Sequence, residues 1–264
     1  MASHGRAPDG PPRWTIGDER IRRLEERYYP SYIDEHAAFD SMVSRYCSPG
    51  AVVLDAGAGR GLRYDFSCRQ EALRFAGVDL DPGVMDNPLL SDATVADLAR
   101  LPYPDETFDL VISKYVFEHL ERPALVMKEL RRVMKPGAHL LVHTPNRWHY
   151  VTISAALTPT RFHRWFNERR DRRAVNTFPT TYRANDRRTL QRLARATRFQ
   201  IVEFEPVETK PDYLFFHPLA YRLGVAYERW VNGSDRWAPL RVQLLVAMQA
   251  TPETPTAGPP RARP

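Results

Sequence analysis

The sequence predicts a doubly wound α/β protein: a mostly parallel sheet of seven strands with helices on both faces. Three observations point there. Short apolar runs alternate with helical segments between Ala51 and His143, the rhythm of β–α–β units whose right-handed crossovers make strands parallel. Three of these runs end on an aspartate: Asp55, Asp79 and Asp97. The first of them passes straight into a glycine turn, Gly57-Ala58-Gly59-Arg60-Gly61, at the carboxyl edge where such sheets bind ligands.

The elements follow in order. Residues 1–14 and 251–264, rich in Pro, Gly and small side chains, read as flexible tails. Within 15–48, Asp18–Arg27 and Tyr32–Tyr46 read as two helices broken near Pro30. After the turn Ser48-Pro49-Gly50 comes the strand Ala51–Leu54, then a helix Gly61–Gln70 and a strand Phe75–Val78. Asp81-Pro82 opens a short helix, with aspartate as cap and proline in the first turn. Thr94–Ala96 and Phe108–Ser113 are strands. Pro123–Met134 is a helix closed by Lys135-Pro136-Gly137, and His139–His143 a strand. The rhythm then breaks: residues 145–185 are too long for an ordinary connection and read as a lid. Asp186–Thr197 is a helix, and Gln200–Val207 and Val242–Met248 are strands flanking an aromatic helical insertion at 208–238. The principal domain is thus expected over 49–250.

Composition narrows the classes. With 43% hydrophobic and 27% charged residues in 264, an ordinary soluble core forms without disulfides or metals. No run of about 18 apolar residues would cross a membrane, and the N-terminus lacks the apolar centre of a secretory leader. Cys47 and Cys68 are the two cysteines, with no CxxC spacing, so no bound metal is expected and a reducing cytoplasm is the expected location. The net charge of +6 is uneven: residues 1–150 are net −3 and 151–264 net +9, with 12 arginines between Arg161 and Arg198. That asymmetry fits a polyanionic partner or a solvated arginine-rich surface.

The chemistry is carried by Val52-Val53-Leu54-Asp55-Ala56-Gly57-Ala58-Gly59-Arg60-Gly61. The spacing is Gly-x-Gly-x-Gly, and Leu62 stands where a dinucleotide fingerprint requires glycine. No Gly-Lys-Ser/Thr follows, which excludes a phosphate loop. Asp79 lies where a carboxylate accepts hydrogen bonds from ribose hydroxyls, and Asp97 with Leu98 where an adenine is read. A nucleoside without pyrophosphate suits this row of carboxylates, with Asp55 and the glycine turn facing a short zwitterionic tail. Helix capping or turn formation is the alternative use of each aspartate.

On these residues the sequence resembles the class I S-adenosylmethionine-dependent methyltransferases, a Rossmann-like family. The likeness runs from about Tyr29 to Met248. Four stretches match in order: VLDAGAGRG, GVDLD, ADLARLPYPDETFDLVISKYVFEHL and LRRVMKPGAHLLVHTPN. The subgroup it most resembles is the ubiquinone-biosynthesis-like, small-molecule methyltransferases. The resemblance implies that Asp55, Gly57, Gly59 and Gly61 surround the methionine part of S-adenosylmethionine, that Asp79 and Leu80 hold the ribose, that Asp97 and Leu98 contact adenine, and that Ser113 lines the pocket. It also implies N-terminal helices covering the cofactor; Tyr32 before the core suits either that cover or plain packing as a helix aromatic.

Methyl transfer to a hydroxyl needs in-line alignment, exclusion of water and a base, and no metal. His119 and His143, at or just after strand ends, are the candidate bases. Acceptor selection falls to the lid and the insertion. Phe162, Trp165, Phe166, Phe178 and Tyr182 suit an aromatic or lipid-like molecule, and Arg161, Arg164, Arg169, Arg170, Arg172 and Arg173 a phosphate or carboxylate. Tyr213–Leu219 suits either a membrane interface or burial as core. The expected acceptor is a small molecule methylated on oxygen: a natural product, quinone-like, lipid-like or glycan metabolite. RNA or protein methylation through the lid arginines, and a non-catalytic cofactor-binding interaction protein, are the alternatives. No base-amino methyltransferase motif follows strand four, which disfavours nucleic acid.

Overall fold

The computed structural model describes residues 19–32, 34–61, 65–157, 179–215 and 217–252. Seven strands form one sheet: β1 (Val52–Ala56), β2 (Arg74–Asp79), β3 (Asp92–Val95), β4 (Phe108–Lys114), β5 (Met134–Pro145), β6 (Phe199–Val207) and β7 (Gln243–Ala250). Their order is β3-β2-β1-β4-β5-β7-β6, and β1/β2, β1/β4, β2/β3 and β4/β5 are parallel. The direction of strand succession reverses between β1 and β4, the switch point where open sheets of this kind leave a crevice. The described helices are α1 (Glu19–Tyr28), α2 (Glu35–Tyr46), α3 (Pro123–Val133), α4 (Tyr150–Leu157), α5 (Arg187–Ala196) and α6 (Pro218–Asn232). Mostly parallel strands flanked by helices, with insertions after β5 and before β7, match the expected fold class.

The chain divides into two compact units. One comprises His36–Pro145, Thr180–Glu205 and Leu244–Pro264 and carries the sheet. Val53, Leu54 and Ala56 of β1, Leu110–Ile112 of β4 and Leu140–Val142 of β5 are buried, as expected of central parallel strands covered on both faces. Helix α3 adds Val126, Met127, Leu130 and Val133, a helical stripe whose far side is exposed. Helix α3 ends at Val133, one residue short of the expected bound; β5 begins at once at Met134, and Lys135-Pro136-Gly137 form an irregularity in it, since Met134 pairs with Phe108 and the next pair is His139 with Leu110, with Gly137 at a left-handed φ of 82°. The helix expected over Gly61–Gln70 is also corrected. Its described part is a single 3₁₀ turn, Ser67–Gln70, whose first N–H donates to Asp40 at 3.0 Å; Leu62 lies outside the described residues.

The other unit comprises Met1–Glu35, Asn146–Pro179 and Pro206–Gln243. Ile21 and Leu24 of α1 pack with Tyr221 and Val225 of α6. The Tyr29 hydroxyl meets Glu228 at 3.2 Å, and Lys210 pairs with Glu25. Tyr32 accepts a hydrogen bond from the Lys210 N–H at 3.1 Å under the Lys210 ammonium. Of the segment Tyr213–Leu219, residues 213–215 turn inward: Phe215 stacks on Tyr221, and Pro211 and Leu214 fill the space a side chain at Gly224 would need. His149 and Glu208 are buried together, Nε2 to Oε1 3.4 Å, and Glu208 also accepts the Val242 N–H. Phe162, Trp165, Phe166, Phe178, Phe216 and the lid arginines from Arg161 to Arg173 lie outside the described residues, as do the expected tails apart from Thr251 and Pro252. Among the described residues no helix is long and apolar enough to cross a membrane.

Candidate functional site

The glycine turn sits at the carboxyl end of β1. The N–H groups of Gly57 and Ala58 both donate to the Val78 carbonyl, at 2.8 and 3.1 Å, which bends the chain sharply out of the strand. Gly57, Gly59 and Gly61 have φ of 91°, 53° and 69°, where a side chain is disfavoured. The three glycines differ in what lies beside them. A Cβ at Gly57 would meet Val116 Cγ2 at 2.2 Å, and one at Gly61 the Asn87 side chain at 2.1 Å. At Gly59 no atom of the described residues lies within 4 Å, so among them the turn faces open space.

Carboxylates line the same edge. Asp79, ending β2, accepts the Gly59 N–H at 2.9 Å on one oxygen and the Asp81 N–H at 2.8 Å on the other. It therefore fixes the open point of the turn to β2. Leu80 beside it is 57% exposed. Burial and the charge of Asp79 push the Asp55 carboxyl up to about 7, against the opposing Lys114 ammonium. A buried carboxyl next to a second carboxylate favours a cationic ligand. Asp97 is exposed beyond β3, and its side chain accepts the Ala99 N–H at 2.8 Å in a local turn, while Leu98 is buried in the core. Asp81 caps its short 3₁₀ helix through Gly83 at 2.8 Å, the use the sequence suggests.

At the carboxyl ends of β4 and β5 the side chains are unusual for a sheet core. The Ser113 hydroxyl is buried and donates to the Ala56 carbonyl at 3.1 Å, tying β4 to the end of β1. Lys114 is buried, its ammonium 5.7 and 5.6 Å from the ring centroids of Phe39 and Phe66. Tyr115 has a left-handed φ of 57° and stands 4.5 Å from the buried His143 ring, with His36 within 6.1 Å of both rings. His119 is half-buried, its Nε2 3.9 Å from Glu118 Oε1. Glu118 is buried and its carboxyl is pushed up to about 7 by desolvation, though Thr144 donates to it at 3.1 Å. The backbone N–H groups of Thr181 and Tyr182 donate to the Glu118 carbonyl at 2.7 and 3.1 Å, which holds half-buried Tyr182 near this edge.

The structure thus gathers Asp55, the three glycines, Asp79 and Leu80 around one turn, and His36, Lys114, Tyr115 and His143 at the adjoining strand ends. Three participants are not evident in the local sequence. Asn87 donates to the Ala58 and Gly59 carbonyls at 3.3 and 3.1 Å and clamps the turn from outside. Lys114 ends the strand FDLVISK, and nothing in that run marks its place against the Phe39 and Phe66 rings. Glu118 precedes His119 and gives no sign of its burial.

The open space at Gly59 and the two carboxylates fit a ligand with a ribose and a zwitterionic amino-acid tail whose ammonium can meet a carboxylate, as S-adenosylmethionine has. Comparison with known proteins agrees. A family model described as a methyltransferase domain matches residues 54–142, from β1 to β5. Over 135 residues the chain is 33% identical to a Mycolicibacterium smegmatis protein named as an S-adenosylmethionine-dependent methyltransferase, covering 50% of this chain and 51% of that one; the match thus spans about half of that relative. Identity to a ubiquinone biosynthesis O-methyltransferase of Hahella chejuensis is 30% over 148 residues, 51% of this chain and 57% of that enzyme. A protein of Encephalitozoon cuniculi named as a methyltransferase is 32% identical over 164 residues, 53% of this chain and 70% of its own length. Together with the strand order and the glycine turn, these matches establish that the chain belongs to the class I S-adenosylmethionine-dependent methyltransferases.

Proposed function

We propose that this protein transfers a methyl group from S-adenosylmethionine to a hydroxyl oxygen of a small-molecule acceptor of the quinone-like, lipid-like, natural-product or glycan class. The observation that carries the reading is the glycine turn after β1, with its open point at Gly59 held by the Asp79 carboxylate. When bound, the cofactor supplies a methyl carbon already activated by its sulfonium. Asp55 and the backbone of Gly57, Gly59 and Gly61 hold the amino-acid end. Asp79 has lone pairs left for the ribose hydroxyls, and Leu80 offers an apolar surface beside it. Asp97 and Leu98 mark the adenine end. Ser113 acts indirectly, by holding β4 against the end of β1.

His119 is the proposed base: half-buried just after β4 and beside Glu118, it takes the proton of an acceptor hydroxyl as the oxygen is methylated. His143 is buried against Phe39 and Tyr115 and serves to back the acceptor side. The small-molecule class is supported by the likeness to the Hahella O-methyltransferase.

The test is incubation with methyl-labelled S-adenosylmethionine and cell extract, separated into lipid, polar, nucleic-acid and protein fractions. Label is expected in a small-molecule fraction and lost in Asp79→Ala. His119→Ala should lower turnover by about 10²-fold or more with cofactor affinity changed less than about twofold. Label in RNA or protein would overturn the small-molecule reading. Cofactor binding with no label in any fraction would favour an interaction protein.

A further inference from the structure

Helix α6 carries more apolar surface than its packing uses. Its inner face is accounted for: Tyr221, Gly224, Val225 and Val231 are buried, Tyr221 and Val225 with α1. Its outer face presents Leu219, Leu223, Ala226 and Trp230, spaced four, three and four residues apart and so aligned on one side of the helix. Leu219 is 59% exposed, Leu223 63% and Trp230 47%; Ala226 is exposed too. Trp237 extends the apolar stripe, its ring 4.5 Å from that of Trp230.

The exposed charges that flank the stripe are arginines, with one exposed acid, Asp235, held by Arg241. Arg222 and Arg229 are exposed on α6, on the flank of the stripe. Arg229 lies 5.0 Å over the Tyr28 ring, which Arg27 also approaches, and exposed Arg236 stacks on Trp237. The neighbouring acids are engaged: Glu228 with Tyr29 and Asn232, and Asp235 with Arg241. A row of leucines and tryptophans bordered by arginines matches an anionic lipid surface in both its layers. The apolar side chains enter the acyl boundary while the guanidinium groups remain among the phosphates.

We infer that the outer face of α6 docks the protein reversibly on anionic phospholipid bilayers, through Leu219, Leu223 and Trp230 inserted and Arg222, Arg229 and Arg236 paired with headgroup phosphates. The docking face shares no residue with the glycine turn and its carboxylates, so docking does not depend on the identity of the methyl acceptor.

Sedimentation of the full chain with vesicles tests this. One set is phosphatidylcholine alone, the other equal parts phosphatidylcholine and phosphatidylglycerol. Partition onto the anionic vesicles should exceed that onto the neutral ones by about tenfold or more, and weaken in high salt. Arg222→Glu/Arg229→Glu should reduce it roughly thirtyfold or more, and Leu219→Glu/Leu223→Glu at least tenfold. Lys128→Glu/Arg188→Glu, which makes the same charge change on other exposed positions, should leave it within about threefold. Circular dichroism confirms that each variant is folded. Absence of partition onto anionic vesicles overturns the inference, and so does an equal loss in the Lys128/Arg188 control, which would reduce the effect to net charge. A dimer by light scattering that Leu219→Glu/Leu223→Glu dissociates also overturns it, because the stripe would then be covered by a second copy.

Discussion

At Asp55, three groups set the charge. Burial and Asp79 oppose ionisation while Lys114 favours it, and the balance leaves the carboxyl near 7. A cationic ligand binds the ionised form, so affinity for S-adenosylmethionine should rise with pH through about 7 and fall below it, approaching tenfold per pH unit. Calorimetric titration between pH 6 and pH 8 measures this; a flat profile would remove Asp55 from the amino-acid end of the site. Lys114→Met should move the midpoint upward and Lys114→Arg leave it nearly in place. The effect on folding has the opposite sense. A carboxyl raised by folding contributes stability below its unfolded value, and that contribution is lost as pH rises through about 7. Asp55 and Asp79 are legible in the sequence because each ends an apolar run, and in the Asp55 case the glycine turn follows at once. Asn87 and Lys114 are not, because their roles depend on contacts made between elements. The Asn87 amide acts on the turn 28 residues earlier, and the Lys114 ammonium sits between rings from α2 and the segment before β2.

Among the elements, the turn after β1 combines two constraints that substitutions can separate. At Gly57 an added methyl meets both a left-handed backbone and the Val116 side chain; at Gly59 it meets the backbone cost alone, about 1 kcal/mol. Gly57→Ala should therefore lower the melting temperature by several degrees and weaken cofactor binding together. Gly59→Ala should melt within a few degrees of the parent yet bind cofactor at least tenfold more weakly, since its methyl enters the open space. Thermal melts with calorimetry check both, and equal stability losses would refute the distinction. Most strands are legible as apolar runs, though their ends shift: β3 begins at Asp92, where Arg74 holds it to β2 through a two-pronged ion pair. The segment after Gly61 is misread as a helix because its apolar spacing suits one. Its described end instead makes one tight turn, anchored through Ser67 to Asp40 and Ser44 of α2. Pro136-Gly137, by contrast, is read correctly as closing α3, and what the sequence does not show is that Met134 already pairs with Phe108 ahead of it.

For the whole molecule, protection from exchange should follow the sheet order. Amides of β1, β4 and β5, enclosed by neighbouring strands, should exchange slowest, and those of edge strand β3 roughly a hundredfold faster or more. Hydrogen exchange read by mass spectrometry checks it, and uniform protection across the sheet would contradict it. The β–α–β rhythm makes the sheet unit legible, since its signals lie in neighbouring residues. The second unit is not, because it is assembled from three distant stretches whose contacts local periodicity does not reveal. Its outer helix stripe is equally hidden, since sequence alone does not tell which apolar face of α6 is covered.

The union of α1 with α6 also has a consequence in time. Ile21 and Leu24 find Tyr221 and Val225 about 200 residues later in the chain. At synthesis rates of about 5–20 residues per second, the apolar side of the first helix emerges some 10–40 seconds before its partner exists. During that interval the sheet, whose strands up to β5 are already in hand, can begin to form, whereas the first helix must wait for the last third of the chain. A helix made before the sheet is thus secured after it, and a nascent chain halted before Tyr221 would leave that helix without its native cover.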